Sequence, residues 1–435
     1  MKRFLLSAAV TLALGVALPA TATVIGTMTP AQPVTEARLA ALPEAERAAW
    51  RAYLERSRML MERDKAALAA ERAAGGTTSG AAAHLKGESG MPLDRPAAWY
   101  ASPQARHVAD NIVSFQTPAG GWGKNVDRSG PLRQRGEHYA PVDDDPRGGV
   151  VTRTDGWSYV GTIDNDATTT ELRFLARVQA ALPGAAGEPY RAAFAKGVGY
   201  LLSAQYPNGG FPQVYPLQGG YHDAITFNDN ALVQVTELLD TVAQRQGDYA
   251  FVPADLAQRA GVAHERAIGV ILASQIRVNG VPTGWCQQHD ALTLAPVGAR
   301  NFEPVALSSS ETSRLLTMLM RLRRPAPGVV AAVDAGIAWL KRVAVYDVEY
   351  TKNGAKNGAD GRHLVPKPGN GPLWARMYDI GTMQPIFGDR DRTIHTDVNE
   401  LTRERRDGYG WYGNGPATAL AAYAKWSAAR TAAVR

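Results

Sequence analysis

The 435-residue chain is predicted to be mainly α, an α/α toroid of helical hairpins with long loops and a few short strands. Three observations carry this. Helical runs end in a glutamine followed by a glycine-rich aromatic turn. Ser114-Phe115-Gln116 leads to Gly120-Gly121-Trp122-Gly123-Lys124-Asn125, Ser203-Ala204-Gln205 to Gly209-Gly210-Phe211-Pro212-Gln213, and Ser274-Gln275 to Gly280-Val281-Pro282-Thr283-Gly284-Trp285. The glutamines recur after about 89 and then about 70 residues, a spacing that holds one helical hairpin and a long loop. Few segments alternate strictly enough for strands. An irregular helical bundle is the alternative; the recurrence of the turns at equivalent points favours the toroid.

Along the chain, residues 1–22 read as a secretory signal. Lys2 and Arg3 precede an apolar run from Phe4 to Leu18, and Ala20-Thr21-Ala22 supplies a small-residue cleavage site. The run is short for a membrane span, so a soluble, exported protein that stays off membranes is expected, cleaved near Ala22. Residues 23–90 read as a helical N-terminal arm and flexible linker. Thr23 to Thr35 is proline-punctuated, and Pro43 to Ala74 is rich in helix formers with Met59, Leu60, Met61, Ala66 and Leu68 as an apolar stripe. Gly75 to Ala83 has linker composition. Residues 91–435 are expected to form the main domain. Helices are expected over Pro189 to Gln205, Asn230 to Gln244, Asp255 to Gln275 and Pro416 to Ala429, and strands over Val343 to Tyr350 and Leu373 to Ile380.

Composition narrows the function. Hydrophobic residues make up 45%, enough for a large core, and the net charge of +6 suits an acidic partner. No zinc-finger, basic-zipper or RNA-binding pattern points to nucleic acid. Cys286 is the single cysteine, so no internal disulfide forms, and a buried structural thiol is expected. There is no Gly-x-Ser-x-Gly elbow, no His-Glu-x-x-His motif and no P-loop.

Four clusters could carry chemistry. Asp164-Asn165-Asp166 and Tyr221-His222-Asp223-Ala224-Ile225-Thr226-Phe227-Asn228-Asp229-Asn230 place carboxylate and amide oxygens just ahead of helices, as a calcium site needs. The spacing is not that of an EF-hand, so a site would combine two distant loops. The plainer readings are a capping box from Thr168 and Glu171, and an N-cap from Asp229. Arg300 and Glu303 precede Ser308 and Glu311, which fit another capping box. The fourth cluster is Pro372-Leu373-Trp374-Ala375-Arg376-Met377-Tyr378-Asp379, then Gly388-Asp389-Arg390-Asp391-Arg392; Arg376 lies among apolar residues, and its plainer reading is a buried pair with Asp379.

The turn at Gly120 to Asn125, the segment Thr162 to Glu171, Trp285-Cys286-Gln287-Gln288-His289-Asp290, Ala299 to Glu311 and Trp374 to Asp379 together resemble the pectate lyases of polysaccharide lyase family ten. The similarity runs from about Ala97 to Lys425. Gly123 stands where that family usually has proline. The resemblance implies a toroid-like α/α fold, Ca2+, and cleavage of polygalacturonate by β-elimination. It implies that Asp164, Asn165 and Asp229 hold calcium, with Asp164 also bridged to substrate, that Arg300 occupies the catalytic-base position, and that Lys124 and Arg376 bind uronate carboxylates. A monomer acting on an acidic polysaccharide is expected. A carboxylate-pair hydrolase and a non-catalytic glycan binder are the other classes in view.

Overall fold

The computed structural model describes residues 23–77, 89–140, 160–352 and 361–434. The expected signal segment and most of the expected linker lie outside the described residues. An N-terminal segment carries α1 (Glu36–Leu39) and α2 (Glu44–Ala73). The helices of the repeating units are α3 (Pro103–Ser114), α4 (Thr169–Ala181), α5 (Glu188–Ala204), α6 (Ala231–Gln244), α7 (Ala254–Ala273), α8 (Ser309–Arg321) and α9 (Pro327–Arg342). They are completed by the short α10 (Arg403–Gly408) and by α11 (Pro416–Val434). None of the described helices is long and apolar enough to cross a membrane.

The architecture is the expected α/α toroid. Helices α3, α5, α7 and α9 pack side by side in that order, and α4, α6, α8 and α11 form the facing row. Local sequence starts these helices cleanly. Before α3, Ser102 Oγ accepts the N–H of Ala105 at 3.2 Å and Pro103 sits in the first turn. Ala105, Val108, Ala109 and Ile112 then recur at helical spacing and are buried.

The recurring glutamines tie one unit to the next. Gln116 Nε2 donates to Gly120 O (2.9 Å) in its own turn and to Ala193 O (2.8 Å) in α5. Gln205 Nε2 reaches Gly209 O (3.0 Å) and Ala263 O (2.8 Å) in α7. Gln275 Nε2 reaches Thr283 O (2.8 Å) and Ala332 O (3.0 Å) in α9. A side chain with two amide protons is needed to bridge two buried carbonyls, which is why the residue type repeats. The indoles repeat too: Trp122, Trp285 and Trp374 donate Nε1 to Ile112 O, Ile271 O and Leu340 O. Trp374 therefore marks a fourth unit, which the glutamine period missed. Its position equivalent to the glutamines is Ala344, because no further helix of that row follows α9 to be tied.

The strands are short. Val343 caps α9, and the expected strand begins at Val348, pairing Val348–Lys352 with Arg362–Pro366. The second expected strand splits at Arg376. Trp374–Ala375 pairs with Tyr412–Gly413, and Met377–Tyr378 pairs with Leu307–Ser308. Arg376 spends its own N–H on Trp411 O (2.7 Å) and its carbonyl on Ser309 N (3.0 Å), so the chain changes partner there.

The N-terminal segment packs on the repeating units. The buried side of α2 is Trp50, Tyr53, Ser57, Asp64 and Leu68, a stripe of mixed polarity, while Met59 of the expected apolar stripe is 58% exposed. Tyr53 donates its hydroxyl to Ala204 O (2.9 Å), and Asp64 Oδ2 accepts Ala119 N (3.0 Å).

Candidate active site

The loops ahead of α4, α6 and α8 open on the same cleft. Asp164–Asp166 and Asn228–Asn230 each form a single tight turn, and the two turns pack together. Asn165 (φ 51°), Asp166 (60°), Asp229 (48°) and Asn230 (63°) are left-handed, a conformation that short amide and carboxylate side chains tolerate better than most. Thr168 is also left-handed (64°) and makes no cap. Its Oγ1 instead accepts Trp122 N (3.0 Å) and donates to Thr162 O (2.8 Å), which pins the first aromatic turn to its loop. Thr312 Oγ1 does the same for Trp285 N (3.0 Å).

Neither expected capping box forms. Glu171 takes the buried Arg128 (Nη2–Oε1 2.8 Å), and Ser308 Oγ donates to the carboxylate of Glu311. Asp229 is no cap either; its Oδ2 accepts Asn228 Nδ2 (2.9 Å), and its side chain is 41% exposed.

Lys124, Asp164, Asn165, Asp229 and Arg300 all line this cleft. Lys124 Nζ donates to Asp164 Oδ2 at 2.7 Å. Burial alone would raise the Asp164 carboxyl, but Lys124 outweighs it and holds it below its ordinary value. Asp229 goes the other way: burial, then the charge of Asp164, raises it. Cys286 is buried, and burial raises its thiol, as a structural role requires.

Opposite stands Arg300. Its Nε and Nη2 fork onto Glu303 Oε2 (2.8 Å) and Oε1 (2.5 Å), and its own N–H adds a third bond to Oε2 (3.1 Å). Tyr409 also donates its hydroxyl to Glu303 Oε1 (2.9 Å). Burial opposes ionisation of Glu303, but Arg300 prevails and brings it down to about 2. In return, burial pulls Arg300 down and Glu303 more than compensates, raising it.

Arg376 stands one layer back, behind Asn228. Its Nη2 donates to Glu311 Oε1 (2.7 Å) and Asn228 Oδ1 (2.9 Å) and lies 3.8 Å from Asp229. Gln287, oriented with its carbonyl toward the guanidinium, accepts from Nε (3.1 Å) and Nη2 (2.9 Å). The partner is thus Glu311, not Asp379, whose carboxylate caps the turn at Thr382 (2.7 Å). The guanidinium also stacks 4.7 Å above the Tyr409 ring.

Sequence reasoning overlooked Tyr409, named Tyr221 and His222 only as part of the run ahead of α6, gave Glu303 no role and read Glu311 only as a cap. The Tyr221 and His222 rings stack at 3.9 Å on the cleft wall, and burial, with Lys124 second, lowers His222 to about 3, so it is neutral. One signal was available: Lys124, Gln213, Gln287 and Arg376 each lie two residues after the aromatic residue of a turn.

The donor set suits a hard cation. Asp164 Oδ1 is buried with no hydrogen-bond partner among the described residues, and Asp164 and Asp229 repel each other. These are oxygen ligands of the kind calcium takes. Among the described residues no three His, Cys, Asp or Glu side chains converge, so a cation here would need further ligands from a bound carboxylate or water.

The family profile described as pectic acid lyase matches residues 116–420. Among solved structures, the chain is similar to a family 10 polysaccharide lyase from Cellvibrio cellulosa, with a TM-score of 0.64 and 31% identity over 79% of this chain and 99% of that one. A mutant of the Cellvibrio cellulosa family 10 lyase in complex with trigalacturonic acid matches with the same TM-score and identity, over 77% of this chain and 97% of that one. No curated protein sequence matches.

Proposed function

The chain belongs to the pectic acid lyase family, and on that footing we propose that it is an exported, calcium-dependent pectate lyase. It cuts α-1,4-linked polygalacturonate by β-elimination and leaves a 4,5-unsaturated uronate on one product. The observation that carries this reading is that Asp164, whose buried Oδ1 has no partner among the described residues, and Asp229 line one cleft with a cation held in a fixed fork.

The chemistry follows from the substrate. The C5 proton is α to a carboxylate, and its removal places a second negative charge on that group. The C5–H bond breaks, a C4–C5 double bond forms, and the C4–O bond breaks, with the leaving oxygen protonated by solvent. Asp164, Asn165 and Asp229 would hold calcium, which would supply positive charge beside the substrate carboxylate and so acidify C5. Lys124 binds a uronate carboxylate at the same edge, and Arg376 adds its charge from behind Asn228.

Arg300 lies beside C5. An arginine is a poor base, and the fork to Glu303 makes it poorer still by favouring the guanidinium. We therefore assign Arg300 to stabilising the developing charge, with hydroxide from solvent taking the proton. The fork fixes the guanidinium before substrate arrives, so no reorganisation is required at the moment of reaction.

Export follows from the leader at residues 1–22, cleaved near Ala22. The test of the reaction is to incubate the enzyme with polygalacturonate and calcium and follow ultraviolet absorbance and reducing ends together. Both should rise, as a conjugated unsaturated uronate forms with each cut. New reducing ends without absorbance would mean hydrolysis, and neither would mean that the cleft only binds.

A further inference from the structure

Far from the cleft, the first described residue makes an unusual contact. The backbone N of Thr23 lies 3.0 Å from Oε1 and 3.0 Å from Oε2 of Glu400. The Glu400 carboxylate is 19% exposed, and its Oε2 also meets His395 Nδ1 at 3.0 Å. His395 Nε2 is in turn held by Thr393 Oγ1 at 2.8 Å. A peptide N–H has one proton to share between two equidistant carboxylate oxygens. An α-ammonium has three protons and a charge, and charge-assisted bonds of this kind are the stronger ones. The expected cleavage site ends at Ala22, so processing there would leave Thr23 with that ammonium.

We propose that cleavage after Ala22 creates an N-terminal ammonium at Thr23 and that Glu400, backed by His395, is its binding site. The proposal rests on the export reading above and sharpens it to one peptide bond.

The contact anchors a strap that leads to the cleft. Val24–Thr27 pairs antiparallel with Thr393–His395 directly after it. Met28 N then donates to Arg392 O (2.8 Å), and Pro30 bridges Gly298, two residues before Arg300. A Cβ on Gly298 would sit 2.8 Å from Thr29 O and 3.1 Å from Glu303 O, so the strap lies directly behind the turn that carries the fork. Further on, Val34 N donates to Asp223 Oδ2 (3.0 Å), next to His222, and Arg38 pairs with Asp290 (2.6 Å). All of these strap residues precede the matched family region at 116–420.

The test has two parts. Mass spectrometry of the exported protein should find Thr23 as the first residue. The enzyme starting at Thr23 is then compared with a form bearing one added glycine before it, each with and without Glu400→Gln, by thermal unfolding. The extension and Glu400→Gln should each lower Tm by on the order of 2 °C, the scale of a partly exposed ion pair in a large domain. Because the extension removes only a contact that Glu400→Gln already removes, the extended Glu400→Gln form should fall no further than Glu400→Gln alone. An exported protein that begins at another residue overturns the proposal, and a chain that keeps its leader sinks the export reading as well. Cleavage at Thr23 with additive losses, or with no loss on extension, leaves export intact and removes the ammonium site.

Discussion

The two walls of the cleft are built on opposite principles. On the wall of Arg300 and Arg376, each guanidinium meets a buried carboxylate, Glu303 or Glu311, and Tyr409 joins them, hydrogen-bonded to Glu303 and stacked under Arg376. On the wall of Asp164 and Asp229, Lys124 pairs with one Asp164 oxygen, the other has no partner among the described residues, and Asp229 is raised by burial and then by Asp164. The first wall is complete in the protein alone. The second is only partly complete: Asp164 Oδ1 has no partner among the described residues, and Asp229 stays 41% exposed. A preorganised cationic wall facing a wall with carboxylate oxygens still open suits a polyanion that arrives with a cation.

The largest effect should come from the finished wall. Arg300→Ala should lower kcat by about 10²- to 10³-fold, the loss seen when a group that stabilises transition-state charge is removed. KM should move much less, and unchanged turnover would take Arg300 out of the mechanism.

Glu303→Gln asks how Arg300 works. If Arg300 acts as a fixed cation, loosening its fork should cost up to about 10²-fold in kcat. If it acts as a base, removing the carboxylate favours its neutral form, and activity at a given pH should rise instead. The same residue makes a pH prediction. Glu303 titrates at about 2 when folded against an ordinary 4.5. Its pair therefore contributes on the order of 3 kcal/mol that is fully present above pH 4.5 and lost as pH falls towards 2. Acid unfolding of the Gln variant should show a flatter dependence in that window.

The unfinished wall should respond to calcium. Asp229→Ala should raise the calcium needed for half-maximal activity by about tenfold, since ligand charge count tunes such sites. An unaltered titration would leave Asp229 outside the metal shell.

The smallest effect on activity is expected where neither wall is touched. Gln205→Ala leaves Gly209 O and Ala263 O without their donor and should cost about 1–3 kcal/mol of stability. Denaturant unfolding reads the loss, while kcat below the transition should stay near wild type.

Much of the fold was legible because its ties need particular side chains. A glutamine that bridges two units has few substitutes, so Gln116, Gln205 and Gln275 stand out in the sequence. The fourth unit was hidden because Ala344 has no next helix to bridge to, and only its indole, Trp374, keeps the pattern. The acidic wall was legible because Asp164, Asn165 and Asp229 lie together in short loops ahead of helices. The support of the cationic wall was not. Tyr409 meets Glu303 across 106 residues, and no local pattern announces such a pair. The capping-box readings failed for a related reason: Glu171 and Glu311 sit at cap spacing, yet buried arginines claim both. On α2, the apolar residues were weighed by type, whereas the buried stripe runs through Ser57 and Asp64, which bond to Leu217 N and Ala119 N.

The difference between the walls is tested most directly by the initial rate of unsaturated product against free calcium, set with a chelator. The rate should fall to background when calcium is removed and return when it is restored, with the protein folded throughout by circular dichroism. A full rate in the chelator would contradict the account, because the acidic wall would then work without the cation proposed for it.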